Sequence, residues 1–230
     1  MPSFEYKIVQ LANGTHSIHS VAERETFHPV VGPVAEAEAL YVRQLRLRER
    51  LATHKGDFVI WDVGLGAAAN ALTVLRATRD LPCRIHLISF DHTLEPLKFA
   101  LSHAAELGYF DNYQGRVDEL LQTNRANFTD GSQSVSWEFH RGDFPTLLTH
   151  SLSGTRFNAP HAILFDAFSP AKNPAMWTLD LFSKLHCVLD PARPCAMPTY
   201  SRATMLRVSL LLAGFFGWSS RIGCCWGLSP

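Results

Sequence analysis

FVIWDVGLGAAANALTVL, at residues 58–75, is the stretch that indicates the fold of this chain. Its first six residues form an apolar run typical of a buried strand. Gly64 and Gly66 follow, and then comes a periodic apolar segment typical of a helix. A second strand and helix come next, RIHLISFD at 84–91 and EPLKFALSHAAELG at 95–108. This alternation predicts an α/β fold with helices covering a parallel sheet.

The second half of the chain continues this pattern less regularly. VDELLQTNRAN at 117–127 predicts a helix that ends in a polar turn, and WEFHRGD at 137–143 predicts a short strand. HAILFDAF at 161–168 predicts a buried strand whose apolar run ends on Asp166, and TLDLFSKLHCVL at 178–189 predicts an amphipathic helix behind it.

The segment before this sheet predicts an N-terminal extension made of a hairpin and a helix. Residues 6–21 alternate around Asn13-Gly14, a dipeptide that favours tight hairpin turns. Residues 34–51 have the apolar stripe of one helix, on which Arg43, Arg46 and Arg50 would form a basic ridge. Such a ridge could meet phosphates or simply be solvated. We therefore expect an extension at 1–52, a cofactor-binding domain at 53–216 and a divergent tail at 217–230.

Composition excludes several classes of function. Lys+Arg and Asp+Glu are equal at 21 each, so no global positive field attracts nucleic acid, and RNA binding needs a local patch. The start has no apolar leader and no run long enough for a membrane span occurs, so we expect a cytoplasmic protein without a membrane partner. Neither the five cysteines nor the eleven histidines have metal-ligand spacing, so we expect no metal.

Carboxylates at predicted strand ends indicate a cofactor. Gly64 and Gly66, with Ala69, also fit the dinucleotide fingerprint, so the glycines alone leave a nicotinamide or flavin cofactor open. Asp62 favours S-adenosyl-L-methionine, because a carboxylate suits a sulfonium and an ammonium group better than a pyrophosphate. Asp91, ending the next strand, is placed to accept the ribose hydroxyls, and Asp143 to bind the adenine amine.

The stretch Asp166–Trp177, DAFSPAKNPAMW, carries a family resemblance. It resembles the D-x-F-x-P-x-K-N-P-x-M-W signature of the methyltransferase domain of the MnmC family, and the other motifs agree in order from about residue 25 to 216. The resemblance implies a class I methyltransferase fold with a Rossmann-like sheet and S-adenosyl-L-methionine as the donor. It also implies the aminomethyl group of a tRNA wobble uridine as the acceptor, with tRNA as a partner. The oxidase half of the bifunctional members has no counterpart here, so a separate oxidase could supply the aminomethyl intermediate.

The same segment contains the residues expected to handle the acceptor. Asp166 could accept a hydrogen bond from the amine and take its proton as general base. Phe168 could stack on the acceptor base, and Lys172 could pair with a phosphate or be simply solvated. Tyr200, at the end of another predicted strand, could border the acceptor pocket or pack in the core.

The chain departs from the family after residue 216, where GWSSRIGCCWGLSP replaces the expected closing strand. We therefore expect the final hairpin to be incomplete, which would leave an unpaired sheet edge. This tail is compatible with a truncation, an altered reading frame or a true divergence. The remaining alternatives are a methyltransferase for a small amine or a protein, a nicotinamide- or flavin-dependent oxidoreductase, and an inactive chain that binds partners.

Overall fold

The chain begins with a three-stranded antiparallel sheet. The computed structural model describes residues 5–154, 157–201, 203–219 and 224–227. In it β1 (Tyr6–Gln10), β2 (His16–Ser20) and β3 (Glu25–Thr26) pair in sequence. Gly14 takes a φ of 84° in the first turn, where the Asn13 side chain accepts a hydrogen bond from the Thr15 N–H at 3.1 Å. The predicted hairpin is therefore confirmed, and β3 is an additional strand.

An eight-stranded mixed sheet follows. Its strands are β4 (Asp57–Val63), β5 (Arg84–Asp91), β6 (Arg125–Asp130), β7 (Gln133–Arg141), β8 (Ala162–Phe165), β9 (Ala196–Thr199), β10 (Phe216–Ser219) and β11 (Cys224–Gly227). They lie in the order β10-β11-β9-β8-β4-β5-β7-β6. The five strands from β9 to β7 run parallel, whereas β6, β11 and β10 are antiparallel to their neighbours. Because β4 lies between β5 and β8, the strand order reverses there and opens a crevice beyond the carboxyl ends.

Helices cover both faces of this sheet. They are α1 (Pro33–Ala37), α2 (Leu47–Thr53), α3 (Ala69–Thr78), α4 (Glu95–Ser102), α5 (Ala104–Leu107), α6 (Gln114–Thr123), α7 (Phe144–Ser153), α8 (Leu179–Val188) and α9 (Thr204–Leu212). In β4, Phe58 and Ile60 pack in a core with α3 and α6, whereas Val59 and Trp61 pack in a second core with α7, α8 and α9. The alternation of side chains along a strand thus builds two cores, and the predicted two-faced α/β fold is confirmed.

The predicted single helix at 34–51 is wrong. A π-helical segment, Glu38–Gln44, follows α1, and Arg46 has a left-handed φ of 50° before α2 begins. This break also removes the predicted basic ridge. Arg50 donates to the His161 carbonyl oxygen at 2.7 Å and lies over the Phe58 ring. Its guanidinium therefore makes contacts within the fold and does not form a basic surface ridge with Arg43 and Arg46.

The expected unpaired edge is also wrong. β11 pairs antiparallel with β9, and β10 pairs with β11 beyond it. Trp226 on β11 is 3% exposed and joins the second core, which explains why a divergent sequence still closes the sheet. Residues 220–223 and 228–230 of the predicted tail lie outside the described residues.

Two smaller predictions need correction. Residues 125–127 were expected at the end of a helix, but they begin β6, an antiparallel edge strand with alternating burial. The predicted short strand at 137–143 is the second half of the nine-residue β7. No helix within the described ranges is long and apolar enough to cross a membrane.

Candidate active site

A cavity of about 1230 Å³ opens beyond the carboxyl ends of β4, β5, β7 and β8. Eight of the predicted site residues line it: Gly64, Gly66, Asp91, Asp143, Asp166, Phe168, Lys172 and Tyr200. Of the predicted set, only Asp62 is not part of the wall. The strand ends therefore bring together residues that are far apart in the sequence.

The loop after β4 needs both of its glycines. Gly64 and Gly66 have φ values of 90° and 51°, in the region that favours glycine. A Cβ on Gly64 would lie 2.6 Å from the Asp166 carbonyl oxygen, and one on Gly66 would lie 3.3 Å from the Phe27 ring. The missing side chains thus let the loop pack directly against the end of β8 and the N-terminal segment.

Asp91 is fixed at the base of this loop. Its carboxylate accepts hydrogen bonds from the Gly66 N–H at 2.9 Å and the Thr93 N–H at 3.3 Å, and His92 Nδ1 lies 3.0 Å away. The side chain is only 10% exposed, yet it lines the cleft. A carboxylate offers about four acceptor positions and the two backbone N–H groups occupy two, so Asp91 can receive both hydroxyls of a ribose if the exposed His92 side chain turns away. These residues fit an adenosine-containing cofactor.

Asp62 lies beneath the loop. It is 1% exposed and accepts a hydrogen bond from the Ser89 hydroxyl at 2.8 Å, while Trp137 Nε1 donates to the same Ser89 oxygen at 2.9 Å. Its Oδ1 is buried without a hydrogen-bond partner among the described residues. Burial raises the pKa of Asp62 to about 7; the Ser89 hydrogen bond opposes this, and the nearby Asp166 and Asp91 add to it. Any influence of Asp62 on a ligand is therefore electrostatic and acts through the loop.

Asp143 begins α7 on the opposite wall. Its Oδ2 accepts from the Thr146 N–H at 3.1 Å and from the Thr146 hydroxyl at 2.6 Å, which is a typical N-cap arrangement. The residue is exposed and lines the cleft. Asp143 thus lies on the cleft wall and also has a structural role, and its contact with adenine stays a prediction.

Asp166 directly follows β8 and projects into the cleft. Its Oδ2 accepts a hydrogen bond from Asn70 Nδ2 at 2.7 Å and lies 3.5 Å from His28 Nε2. Burial raises the pKa of Asp166; His28 and Asn70 oppose this shift, whereas Glu36 and Glu25 add to it. A carboxylate with a raised pKa is a better proton acceptor near neutral pH than an ordinary one.

The N-terminal extension supplies site residues that the sequence analysis did not assign a role. Glu25 on β3 accepts hydrogen bonds from the Ser169 N–H at 3.2 Å and the Ser169 hydroxyl at 2.9 Å. His28 and Glu36 lie beside Asp166. A ring nitrogen of His28 and one carboxylate oxygen each of Glu36 and Asp166 lie within 4.8 Å of one another. The available signal was that residues 25–29 and 36–37 resemble the entry segment of the MnmC family, a resemblance that assigns them no chemical role.

Aromatic side chains form the wall next to Asp166. Phe168 meets Phe27 edge to face, with ring centroids 5.5 Å apart, and Tyr200 donates from its hydroxyl to the Ala167 carbonyl oxygen at 3.1 Å. Trp177 Nε1 donates to the Phe168 carbonyl oxygen at 2.8 Å, so it packs the loop from below. Lys172 is exposed at the rim and forms no ion pair with any residue in the described ranges. This part of the wall therefore combines aromatic side chains with the cation of Lys172.

Comparisons with known proteins found similar sequences. Residues 117–221 match a family described as S-adenosyl-L-methionine-dependent methyltransferase. The tRNA 5-methylaminomethyl-2-thiouridine biosynthesis bifunctional protein MnmC of Aeromonas hydrophila is 32% identical over 199 residues, covering 79% of this chain and 28% of that protein. The same protein of Burkholderia vietnamiensis is 29% identical over 206 residues, covering 83% and 29%. The chain thus spans less than a third of the curated relatives it matches.

Solved structures show the same fold. The crystal structure of MNMC2 from Aquifex aeolicus superposes with a TM-score of 0.76 at 23% identity, covering 99% of this chain and 71% of that one. A spermidine synthase in complex with the transition-state analogue AdoDATO gives a TM-score of 0.57 at 9% identity, covering 97% and 68%. At these identities the likeness concerns the fold alone.

Proposed function

We propose that the chain is an S-adenosyl-L-methionine-dependent methyltransferase domain of the MnmC type, and that it methylates the aminomethyl group of a tRNA wobble uridine. The proposal has two parts, the residues that hold the donor and the residue that prepares the amine. Each part rests on contacts in the cleft described above.

The donor would be held by the loop after β4 and by the ends of β5 and β7. S-adenosyl-L-methionine supplies a methyl group on a positively charged sulfur. Asp91 would accept the ribose hydroxyls, and Asp143 would accept from the adenine amine. Gly64 and Gly66 give this loop its positive φ values, and the buried Asp62 beneath it would attract the donor's positive charge only in its ionised form.

Asp166 would prepare the acceptor. An alkylamine is mostly protonated near neutral pH, since its pKa is about 10, and an ammonium has no lone pair for attack. Asp166 takes one proton, the nitrogen lone pair forms the new N–C bond, and sulfur keeps the electrons of the broken S–C bond. Phe168 would stack on the uracil ring, Tyr200 would border the pocket, and Lys172 would meet a phosphate.

The position of Asp166 is the observation that carries this proposal. Its backbone carbonyl oxygen touches the cofactor loop at Gly64, and its carboxylate lies in the same cleft as Asp91. A base at this point would lie between a donor bound at the Gly64 loop and an amine held against Phe168. The bifunctional relatives named for 5-methylaminomethyl-2-thiouridine biosynthesis support the choice of acceptor.

The experiment is mass analysis of wobble uridines from a strain that lacks the gene. We expect unmethylated aminomethyl uridine to accumulate, and wild-type protein to remove it on re-expression. The Asp166→Asn variant should not restore methylation although it is folded. Wobble uridines identical to those of the parent strain would contradict the proposed acceptor.

A second candidate, a small cationic amine, is supported by the charge of the cleft. Eight carboxylates line it but only three Lys or Arg side chains do: Glu5, Glu23, Glu25, Glu36, Asp91, Glu95, Asp143 and Asp166 against Arg43, Arg141 and Lys172. This balance attracts ammonium groups more than phosphates. Methylation of free polyamines but not of RNA by the purified protein would favour this candidate.

A further inference from the structure

We propose that His28, held by Glu36, is the group that removes the acceptor's proton from Asp166. This inference rests on the proposed function, because it assigns the next step of the same proton. Asp166 remains the residue that touches the amine. His28 acts through it as a positioning residue and proton acceptor, and Glu36 orients His28.

The geometry places one imidazole between two carboxylates. His28 Nε2 lies 3.5 Å from Asp166 Oδ2, and His28 Nδ1 lies 3.4 Å from Glu36 Oε1. The side chains are 8%, 17% and 19% exposed for His28, Asp166 and Glu36. Each ring nitrogen thus faces its own carboxylate across a gap slightly longer than a hydrogen bond. Catalytic hydrogen bonds are often long without substrate and shorten when it binds.

The backbone holds the ring in this position at a cost. His28 has a left-handed φ of 48°, a region that residues other than glycine rarely adopt. The preceding Phe27 is fixed on both sides, since its N–H donates to the Ile18 carbonyl oxygen at 2.8 Å and its carbonyl oxygen accepts from the Ser17 hydroxyl. Strained residues that are held this firmly concentrate at functional sites.

The titratable groups around His28 include both acids and bases. Glu25 on β3, Tyr200 after β9, Arg43 and Lys172 line the same cleft, and Tyr41 is buried within electrostatic range of Asp166 and Glu36. Burial alone would lower the pKa of His28, but Asp166 and Glu36 outweigh it, and the pKa is raised above 6.5. The surroundings therefore favour the imidazolium once a proton arrives.

The proton balance is complete with these three residues. An N–H bond of the acceptor ammonium breaks and an O–H bond forms on Asp166. That O–H bond then breaks as an N–H bond forms on His28 Nε2, which restores the Asp166 carboxylate. The imidazolium, with its Nδ1–H directed at Glu36, releases one proton to solvent after the product leaves. This is the single proton set free when an ammonium becomes a methylated ammonium.

The first test follows the imidazole in the isolated protein by NMR. We expect a pKa for His28 above the ordinary histidine value, and a lower pKa in Glu36→Gln and in Asp166→Asn, because each removes a facing negative charge. Glu138→Gln is the matched control, since Glu138 pairs with His86 outside the cleft. An unchanged His28 pKa in both cleft variants would overturn the proposal.

The second test is kinetic. His28→Asn should lower kcat by about 100-fold, the usual contribution of a proton-transfer group, with the KM for both substrates within about twofold. The low-pH limb of the pH profile of kcat should move to lower pH in His28→Asn, because the limb then follows the pKa of Asp166 instead of that of His28. Thermal melting and S-adenosyl-L-methionine binding should match wild type, and His28→Gln serves as a second variant if His28→Asn is unstable.

Three outcomes are separated by these tests. A His28→Asn protein with wild-type kcat and pH profile overturns the proton step and leaves the methyltransferase proposal intact. A wild-type protein that methylates no aminomethyl uridine contradicts the proposed function. The NMR titration still tests whether His28 interacts with Glu36 and Asp166. Binding of one Zn²⁺ per chain that is lost in Glu36→Gln, with activity abolished by a chelator, would replace the proton step by a metal site.

Discussion

Asp62 and Asp91 end neighbouring parallel strands, but their surroundings differ. Asp91 receives backbone N–H groups and lines the cleft, whereas Asp62 is sealed beneath the loop with one hydrogen bond from Ser89. Backbone N–H groups hold the Asp91 carboxylate in place at the cleft, whereas burial with few hydrogen-bond partners disfavours the ionised form of Asp62. The two residues therefore have different tasks although both were predicted to bind the cofactor.

The first residue-scale prediction concerns Asp62 and pH. Its pKa is raised from 3.8 to about 7 in the folded protein, so its protonated form stabilises the fold below pH 3.8. That stabilisation is lost as pH rises towards 7, by on the order of a few kcal/mol at most. Asp62→Asn should be relatively more stable at pH 8 than at pH 4 when each is compared with wild type in chemical denaturation. An equal difference at both pH values would contradict the raised pKa.

The second prediction concerns Asp91. Asp91→Ala should weaken S-adenosyl-L-methionine binding at least about tenfold, because a hydrogen bond to a charged group contributes about 1.5–3 kcal/mol. Glu95→Ala is a suitable control, since Glu95 lies at the cleft mouth and pairs with Lys98. Calorimetry on both variants measures the difference, and equal affinities would remove Asp91 from the proposed donor site.

At the scale of elements, a turn tolerates a side chain in place of glycine only where no neighbouring backbone lies close to it. Gly131 joins β6 to β7 with a φ of 60°, and a Cβ there would lie 2.2 Å from the Arg79 carbonyl oxygen after α3. Gly14 also has a positive φ, 84°, but a Cβ there meets nothing within 4 Å. A side chain at Gly131 would therefore cause both backbone strain and a steric clash, whereas one at Gly14 would cause backbone strain alone.

This pair gives the element-scale prediction. Gly14→Ala should lower the free energy of unfolding by about 1 kcal/mol, the cost of a left-handed residue with a side chain. Gly131→Ala should lower it by about 2 kcal/mol or more, because displacement of the Arg79 backbone adds to that cost. Urea unfolding of both variants provides the measurement. A smaller loss for Gly131→Ala than for Gly14→Ala would contradict the described packing.

The elements also show what the sequence could predict. β4, α3, β5 and β8 followed from apolar runs and helical periodicity, because burial on both faces leaves a strong pattern. β6 was missed because its alternation lies on an exposed edge strand, and the break at Arg46 because nothing local marks a left-handed arginine. The closing hairpin was missed since a buried Trp226 replaces the expected motif.

The site was predictable only in part, for a similar reason. Asp91, Asp143 and Asp166 stand at strand ends, where position follows from topology. His28 and Glu36 meet Asp166 only after the N-terminal extension folds over the cleft, more than 100 residues away in sequence. Such a contact between distant segments has no local pattern.

At the scale of the whole molecule, charge limits how RNA can bind. The chain has no net charge, and Arg43, Arg141 and Lys172 are the Lys and Arg side chains of the cleft wall. Each phosphate contact contributes about one unit to the slope of log affinity against log salt. We therefore expect a shallow slope of about three or less for a tRNA substrate.

Lys172→Ala tests this expectation. It should reduce the slope by about one unit and weaken binding to all tRNA sequences alike. Lys55→Ala, which changes an exposed lysine outside the cleft, should leave the slope unchanged. Filter binding at several salt concentrations measures both, and equal slopes for the two variants would exclude Lys172 as a phosphate contact.

The central claim is that Asp166 prepares an aminomethyl uridine for methylation by S-adenosyl-L-methionine. The most direct measurement is transfer of a labelled methyl group from S-adenosyl-L-methionine to an anticodon stem-loop with aminomethyl uridine at the wobble position. We expect the label on that nucleoside with wild-type protein, and transfer at least about 100-fold slower with Asp166→Asn at nearly unchanged donor affinity. No transfer by a wild-type protein that binds the donor, or full activity of Asp166→Asn, would contradict the account.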